Sequence, residues 1–393
     1  MTATRTVRFC QSCVLPDSRP GIVIGADGVC NACAGHRANR IEIDWKARAT
    51  RLAGIVAEAK ARKAPWDCIV PVSGGKDSFW QVIRCRELGL KVLAVTWKSP
   101  GRNALGQANL DALVRLGVEH IDFAIDPGVE ARFMKRTLVE TGSTAVPMHL
   151  AIFAIPMRMA VSLGIPLIVW GESPFMEYGG DAGNSDLDLL NHAWLRRHGI
   201  LQGRQALDWV SDELSPRDLE PYAPPAEEAF EAARVRSIFL GYYQPWDPAE
   251  SLRVAGQHGF RRRAEGPKIG LYDYADIDCD HIAVHHWFKW PKFGFTRLFD
   301  NVSLEIRNGR MTREQALAII GRLGDQRPDA DIRSACAFMG LDLDVFAALE
   351  ERWRDRRIWQ VRDGRWVIPG FPVADWNWPA VPAQGSLDLG VAA

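Results

Sequence analysis

The sequence lacks a surplus of either charge. Its 48 Lys and Arg residues are balanced by 48 Asp and Glu in 393 residues. No block of like charge dominates, which argues against a large nucleic-acid surface, because phosphate contacts draw on clustered Lys and Arg. The start lacks a long apolar stretch, so no signal peptide is expected. The most apolar segment, Ala151 to Trp170, is interrupted by Pro156, Arg158, Ser162, Gly164 and Pro166. It therefore reads as a buried helix, a turn and a strand, not as a membrane span. Eight cysteines are few for a disulfide-stapled secreted protein, and four of them cluster as metal ligands would. Cys68 and Cys85 read as core residues. These absences lead to the expectation of a soluble, cytoplasmic protein without internal repeats, membrane contact or nucleic-acid binding. Tryptophan is abundant, at 15 residues. Several lie near Pro, Gly or Lys in the second half, with packing as the default role of each.

The most informative stretch runs from Trp66 to Leu88. An apolar run (Cys68, Ile69, Val70, Val72) ends in Ser73-Gly74-Gly75-Lys76-Asp77-Ser78, and Phe79, Val82, Ile83, Cys85 and Leu88 then mark one face of a helix. A strand, a glycine turn and a helix N-terminus together make an anion site, with backbone N–H groups and the helix dipole facing negative charge. Lys76 adds a point charge, and Ser73 and Ser78 add hydroxyl donors. Asp77 would repel phosphate unless it holds a cation, which suggests Mg²⁺. The glycine spacing is too short for a Walker A loop.

Upstream, C-x2-C-x16-C-x2-C (Cys10, Cys13, Cys30, Cys33) has the spacing of a four-thiolate zinc site. Two disulfides or an iron–sulfur cluster are the alternatives. With no open coordination position, such a zinc would be structural. A helix is expected over Asp44 to Arg62. Strands at Lys91 to Trp97, His120 to Ile125 and Pro166 to Trp170 alternate with helices at Ala104 to Leu116, Gly128 to Glu140 and Ala151 to Leu163. That alternation predicts a parallel sheet covered on both faces. Ligands bind such sheets at the carboxyl ends of the strands. Ser73, Thr96, Gly171 and Glu172 should meet there, with Val95 to Trp97 near adenine and ribose. Thr96 is equally well read as an ordinary β-branched strand residue. Glu177, Tyr178, Gly179 and Gly180 would form a substrate rim.

Further on, Asp247 and Thr312 are expected to cap helices, Thr312 with Gln315 in a capping box. Asp276, Asp278, Asp280, His281, His285 and His286 could hold a metal, but no familiar ligand motif is complete. Lys289, Lys292, Arg297 and Asp300, interleaved with aromatics, read better as a wall for a nucleotide-linked sugar. A helix with solvated basic residues is the plainer alternative. From Val361 the tail is expected to lie over the surface or in an interface.

The hexapeptide SGGKDS matches the loop of the PP-loop ATP pyrophosphatases. That resemblance implies an adenine nucleotide alpha-hydrolase-like α/β fold, a doubly wound parallel sheet, and cleavage of ATP between α- and β-phosphates. More blocks follow in order: IPLIVWGE then EYGG, FLGYYQPWDP, HHWFKWPKFGF, and IRNGRMTREQA. With the cysteine pairs and VSGGKDS, they resemble the N-acetyl sugar amidotransferases of surface-polysaccharide synthesis up to about Leu349. The resemblance implies that ATP adenylates the N-acetyl amide oxygen of a nucleotide-linked sugar and that ammonia replaces it, giving an acetamidino sugar for lipopolysaccharide or O-antigen. It implies Lys76, Asp77 and Ser78 as catalytic residues, ATP, Mg²⁺ and structural Zn²⁺ as cofactors, and a separate glutaminase with a cyclase-like subunit as ammonia source. A homodimer is left open. The expected modules are 1–40 (zinc ribbon), 41–64 (linker helix), 65–248 (ATP-binding domain) and 249–393 (mostly helical substrate or partner region). The chain departs from the family pattern at Thr296, Leu298, Phe299 and Asn301, where glycine, alanine, threonine and histidine are usual. It also carries Val146-Pro147-Met148 where cysteines tend to precede the position of His149. Two rivals remain: a tRNA-modifying PP-loop enzyme (thiolation or lysidine-type ligation) and a non-catalytic scaffold for the glutaminase pair.

Overall fold

The computed structural model describes residues 5–171, 188–198 and 200–382. Its centre is a five-stranded sheet: β1 (Cys68–Pro71), β2 (Val92–Trp97), β3 (Glu119–Phe123), β4 (Leu167–Trp170) and β5 (Arg236–Phe239), in the order β3-β2-β1-β4-β5. Every pairing is parallel. Successive strand residues point to opposite faces. Accordingly Cys68 and Val70 of β1 pack with Phe79 and Val82 of α3 (Lys76–Glu87) and Leu110 of α4 (Ala104–Val114). Ile69, between them, packs with Phe133 of α5 (Pro127–Thr141) and Ala151 of α6 (Val146–Leu163). The doubly wound parallel architecture expected from the alternation is therefore present. The edge strand β3 carries Glu119, His120 and Asp122 toward partial exposure, which suits an edge that must not pair further.

Boundaries differ where proline was the cue. Helix α6 begins at Val146, five residues before the expected start, because Pro147 sits in the first turn, where a missing N–H costs nothing. By length and composition α6 could cross a membrane. It packs on β1, β2 and β4, with Leu150, Ala151, Met157 and Ala160 buried.

The four-cysteine segment leads directly into helix α1 (Asn31–Glu42), which holds Cys33 and was not foreseen. Asp44 then caps α2 (Trp45–Ala61) by accepting from Ala47 N–H. Leu52, Ile55 and Val56 bury α2 on the sheet. The ribbon itself shares its core with the C-terminal region: Val7, Val14, Leu15 and Ile24 pack with Phe288, Phe299, Ile358 and Trp366. That region contains α8 (Ile282–Trp287), α9 (Lys289–Phe293), α10 (Arg297–Arg307), α11 (Arg313–Leu323), α12 (Asp329–Met339) and α13 (Leu343–Arg352), preceded by α7 (Pro248–Gln257) against α3. The Asp247 cap and the Thr312–Gln315 capping box form as the sequence indicates.

The tail corrects its expectation. Residues Gln360–Arg362 and Arg365–Val367 pair as an antiparallel hairpin, β6–β7, around Asp363 and Gly364, both with positive φ. Asp-Gly is the pair such a tight turn favours. Beyond it Phe371, Trp376 and Trp378 close around Trp290, with ring centroids at 5.7, 5.3 and 6.4 Å. Phe371 also meets Phe9 of the ribbon at 5.7 Å. These aromatics are core, because each indole buries enough apolar area to hold an otherwise irregular strand in place.

Candidate functional site

The strand order reverses at β1, and the glycine loop sits at its carboxyl end, leading into α3. Gly74 takes φ +89°, and a Cβ there would lie 2.8 Å from the backbone nitrogen of Leu110 on α4, so no side chain fits. Gly75 is the N-cap of α3 and brings no side-chain acceptor, which leaves the helix end open to an anion. The loop holds its own shape: Ser73 N–H donates to Ser78 Oγ (3.0 Å) and Gly75 N–H to Ser73 Oγ (3.2 Å). Lys76 Nζ lies 2.5 Å from Asp77 Oδ2, and Trp246 Nε1 donates to Asp77 Oδ1 at 3.0 Å. The cation beside Asp77 in this structure is Lys76. Lys76 is also 5.5 Å from the Trp246 ring and 5.9 Å from that of Tyr274.

The chain from Tyr274 to His281 lies across this end of the sheet. Asn103, the cap of α4, donates through Nδ2 to Ile277 O and Asp280 Oδ1, both at 2.9 Å. Asn103 N–H donates to Asp278 O at 3.2 Å and Asp280 N–H to Gly101 O at 2.8 Å. Gly106 leaves room for the Asp278 backbone against α4. Burial raises the Asp278 carboxyl, while a hydrogen bond from the Ser73 side chain works against the rise. A segment from the C-terminal region therefore touches the glycine loop directly. Two distant sequence blocks meet beside it: Trp246 binds Asp77, and the adjoining Asp247 accepts from Arg310 Nη1 at 2.7 Å. Nothing within the FLGYYQPWDP block itself signals this contact of Trp246 with the loop.

The other expected residues divide. Gly171, past β4, comes within reach of the loop helix: with its amide turned to suit both partners, Gln81 accepts from Gly171 N–H and donates to Asp77 O. Glu172, Glu177, Tyr178, Gly179 and Gly180 lie outside the described residues. Thr96 is 3% exposed and its hydroxyl pairs with His120 Nε2 at 2.9 Å across β2 and β3. Asn301 accepts from Leu271 N–H at 3.0 Å and fixes the approach to the Tyr274 segment. It has a structural task where the family pattern has histidine.

The basic segment is neither solvated nor an open wall. Lys292 Nζ donates to Thr141 O at 2.5 Å and Gly142 O at 3.4 Å, closing the carbonyl end of α5. Burial lowers its pKa to about 8. Asp300 accepts from Lys289 (2.9 Å) and from Arg19 of the ribbon (2.8 Å), with Arg297 at 4.0 Å. Burial alone would raise this carboxyl, but Lys289, Arg19 and Arg297 hold it well below the usual range. Arg297 Nε also donates to Asp276 at 2.9 Å, which His286 approaches at 3.4 Å. Asp276 is therefore paired with Arg297 and neighboured by a His286 ring that burial keeps neutral.

Among the described residues, the compact metal-type cluster is Cys10, Cys13, Cys30 and Cys33, all buried, with ligand atoms within 4.8 Å of one another. Thiolates about 2.3 Å from one Zn²⁺ lie about 3.8 Å apart in a tetrahedron, and Cys13 Sγ is 3.7 Å from Cys30 Sγ. Cys10 Sγ accepts N–H groups from Cys13 (3.4 Å) and Cys30 (3.2 Å), as a thiolate would. Four thiolates this close together would repel one another, and a cation at their centre offsets that repulsion. The residues fit a single tetrahedral ion, and none is in a disulfide. Arg313 Nε donates to Cys10 O (3.3 Å) and Cys13 O (3.0 Å), tying the knuckle to α11.

A sheet-order reversal carrying a glycine turn and an open helix end is the place where doubly wound α/β proteins bind their ligands, and the free N–H groups there suit an anion. Residues 269–369 match the family model described as the C-terminal domain of WbpG-like LPS biosynthesis proteins. The matched span starts just before the Tyr274–His281 segment and ends past β7. No curated protein matches the chain. Among solved structures, NMN synthetase from Francisella tularensis overlaps at 17% identity and TM-score 0.27, over 56% of this chain and 94% of that one. NAD+ synthetase from Burkholderia pseudomallei does so at 18% and 0.25, over 57% and 93%. A predicted subunit of tRNA methyltransferase from Methanocaldococcus jannaschii gives 12% and 0.27, over 48% and 75%. Overlaps this partial support no conclusion about activity.

Proposed function

We propose that the protein is an ATP-dependent amidotransferase acting on a nucleotide-linked acetamido sugar in LPS synthesis. The observation that carries the reading is the contact between two differently identified parts. The span matched to an LPS biosynthesis domain lays Tyr274 and Asp278 on the SGGKDS loop. Activation and substrate choice would thus share one crevice. An amide carbonyl is a weak electrophile and oxide a poor leaving group. Adenylating the amide oxygen makes AMP the leaving group, and attack by ammonia then gives an amidine.

In this reading the open N-terminus of α3 and the Ser73 and Ser78 hydroxyls receive the pyrophosphate, and Lys76 turns from Asp77 toward it. Trp246 keeps Asp77 in place when Lys76 moves. When bound, Mg²⁺ would neutralise triphosphate charge, and Asp77, released by Lys76, is the carboxylate proposed to hold it. Glu177, Tyr178, Gly179 and Gly180 remain proposed substrate contacts, as does Glu172 for ATP. Ammonia is proposed to come from a separate glutaminase with a cyclase-like subunit, and the cysteine site is proposed to hold structural Zn²⁺. The test is incubation with ATP, Mg²⁺, ammonium and a panel of UDP- and CMP-linked diacetamido sugars. AMP, pyrophosphate and a sugar with one oxygen replaced by NH are expected together. Absence of all three with every sugar would remove the proposal.

A further inference from the structure

The carboxyl side of the sheet holds a second polar feature that the glycine loop does not use. Where the chain leaves β2, a cavity of about 20 Å³ lies between α5, the entry to α6 and the segment after Asp278. Its polar lining includes Ser99, Glu130, Thr144, Cys279, His281 and His285. A single water needs about 10–15 Å³, so the space admits one small molecule and excludes a nucleotide or sugar.

Two of the lining groups lack the partners their burial calls for. Glu130 is 3% exposed, and its carboxyl accepts from Trp97 Nε1 at 2.8 Å. No Lys or Arg among the described residues forms an ion pair with it, and burial raises its pKa to about 8. His281 is 7% exposed, and its Nδ1 has no hydrogen-bond partner. By contrast Ser99 Oγ meets Cys279 Sγ at 2.9 Å, and Ser143 Oγ meets His285 Nδ1 at 3.1 Å. A lone buried carboxyl without a cation and a lone imidazole nitrogen thus share a one-molecule space. That arrangement suits a small guest which is both cationic and rich in donors.

We propose that this cavity binds the ammonium ion consumed in the reaction, with Glu130 as the group that accepts its proton. The inference rests on the amidotransferase reading for the fate of the guest. On binding, ammonium displaces to solvent the proton that the buried Glu130 carboxyl otherwise holds; the ion then gives one proton to the resulting carboxylate and becomes NH₃ with a free lone pair. The C–N bond then forms at the adenylated carbon, and the C–O bond to AMP breaks. AMP leaves with the bonding pair and one proton. Position favours this route, because Cys279 in the wall directly follows Asp278, which faces Ser73 of the loop.

Glu130→Gln keeps the side-chain size and the acceptor for Trp97. With ammonium as donor, the variant should raise the KM for ammonium roughly tenfold or more, since a charged hydrogen-bond partner is lost, and leave the KM for ATP and for the sugar nucleotide unchanged. His281→Phe should raise the ammonium KM in the same selective way. A binding readout stands apart from turnover: ammonium chloride should raise the Tm of the wild-type protein above that in tetramethylammonium chloride of equal ionic strength, and Glu130→Gln should abolish the difference. If the wild-type protein makes no acetamidino product, the proposed function fails, and the ammonium-specific Tm difference alone decides the cavity. If product forms and Glu130→Gln keeps its ammonium KM, or the two salts act alike on the wild-type protein, the cavity holds only water and the inference is overturned.

Discussion

Two lysine-bearing segments of this chain differ in what their charges do. In SGGKDS, Lys76 stands at an open helix end, and its partner Asp77 is held independently by Trp246. Lys76 can leave without orphaning a buried group. In WFKWPKFGFTRLFD, Lys289 and Arg297 join Arg19 around the buried Asp300, and Lys292 closes α5. These side chains cannot turn to a ligand without leaving a buried carboxylate or carbonyl unsatisfied. The first segment is arranged for an incoming anion. The second joins ribbon, helices and sheet into one body.

Substitutions can break or sharpen that contrast. Asp300→Asn should have the largest effect on stability. It strands the charges of Lys289, Arg19 and Arg297, a loss of about 3–5 kcal/mol, measurable by urea denaturation. The Asp300 carboxyl ionises more readily folded than unfolded. Its stabilisation is complete above the ordinary carboxylate range, begins to fall as pH enters that range and goes on falling toward the much lower folded pKa, so the acid limb of the stability profile should flatten in Asp300→Asn. Lys76→Ala should leave the denaturation midpoint near wild type and cut pyrophosphate release by about 10²–10³-fold, as expected for removing one preorganised donor. Glu130 runs the other way in pH. Its folded pKa, about 8, lies above the ordinary glutamate value of 4.5. The unfolded chain sheds this proton first as pH rises, so stability falls between those two values. Glu130→Gln should remove that decline and gain on the order of a few kcal/mol at pH 8. Lys292→Met should cost least, about 0.3–1 kcal/mol from the carbonyl end of α5, with pyrophosphate release unchanged.

Local signals in the sequence were reliable where one short segment determines its own shape. The strand–glycine–helix unit at β1, the Asp247 and Thr312 caps, and the paired cysteines all form where the residues place them. The parallel sheet followed from alternation. What escaped was set by distant partners. Nothing near Arg19 indicates that it will meet Asp300, and nothing near Trp246 points to Asp77. Glu130 sits in an ordinary amphipathic helix, and its isolation depends on the packing of α6 and the Cys279 segment. The basic, aromatic stretch after Trp287 suggested a binding wall because interleaved charge and rings suit a ligand equally well as a core with internal ion pairs. The tail was misjudged for a simpler reason. Asp363-Gly364 is a hairpin signal, and the tryptophans beyond it were enough to bury a strand without helical periodicity.

The central claim is that the glycine loop activates an acetamido sugar which the C-terminal span selects. The most direct measurement follows AMP, pyrophosphate and sugar product together by mass spectrometry, in wild type and Lys76→Ala, with ATP, Mg²⁺, ammonium and UDP- or CMP-linked diacetamido sugars. The account predicts equal amounts of AMP and an acetamidino product from the wild-type protein, on at least one sugar, and near-complete loss of both in folded Lys76→Ala. Turnover that survives Lys76→Ala, or AMP formation indifferent to the sugar, would contradict it.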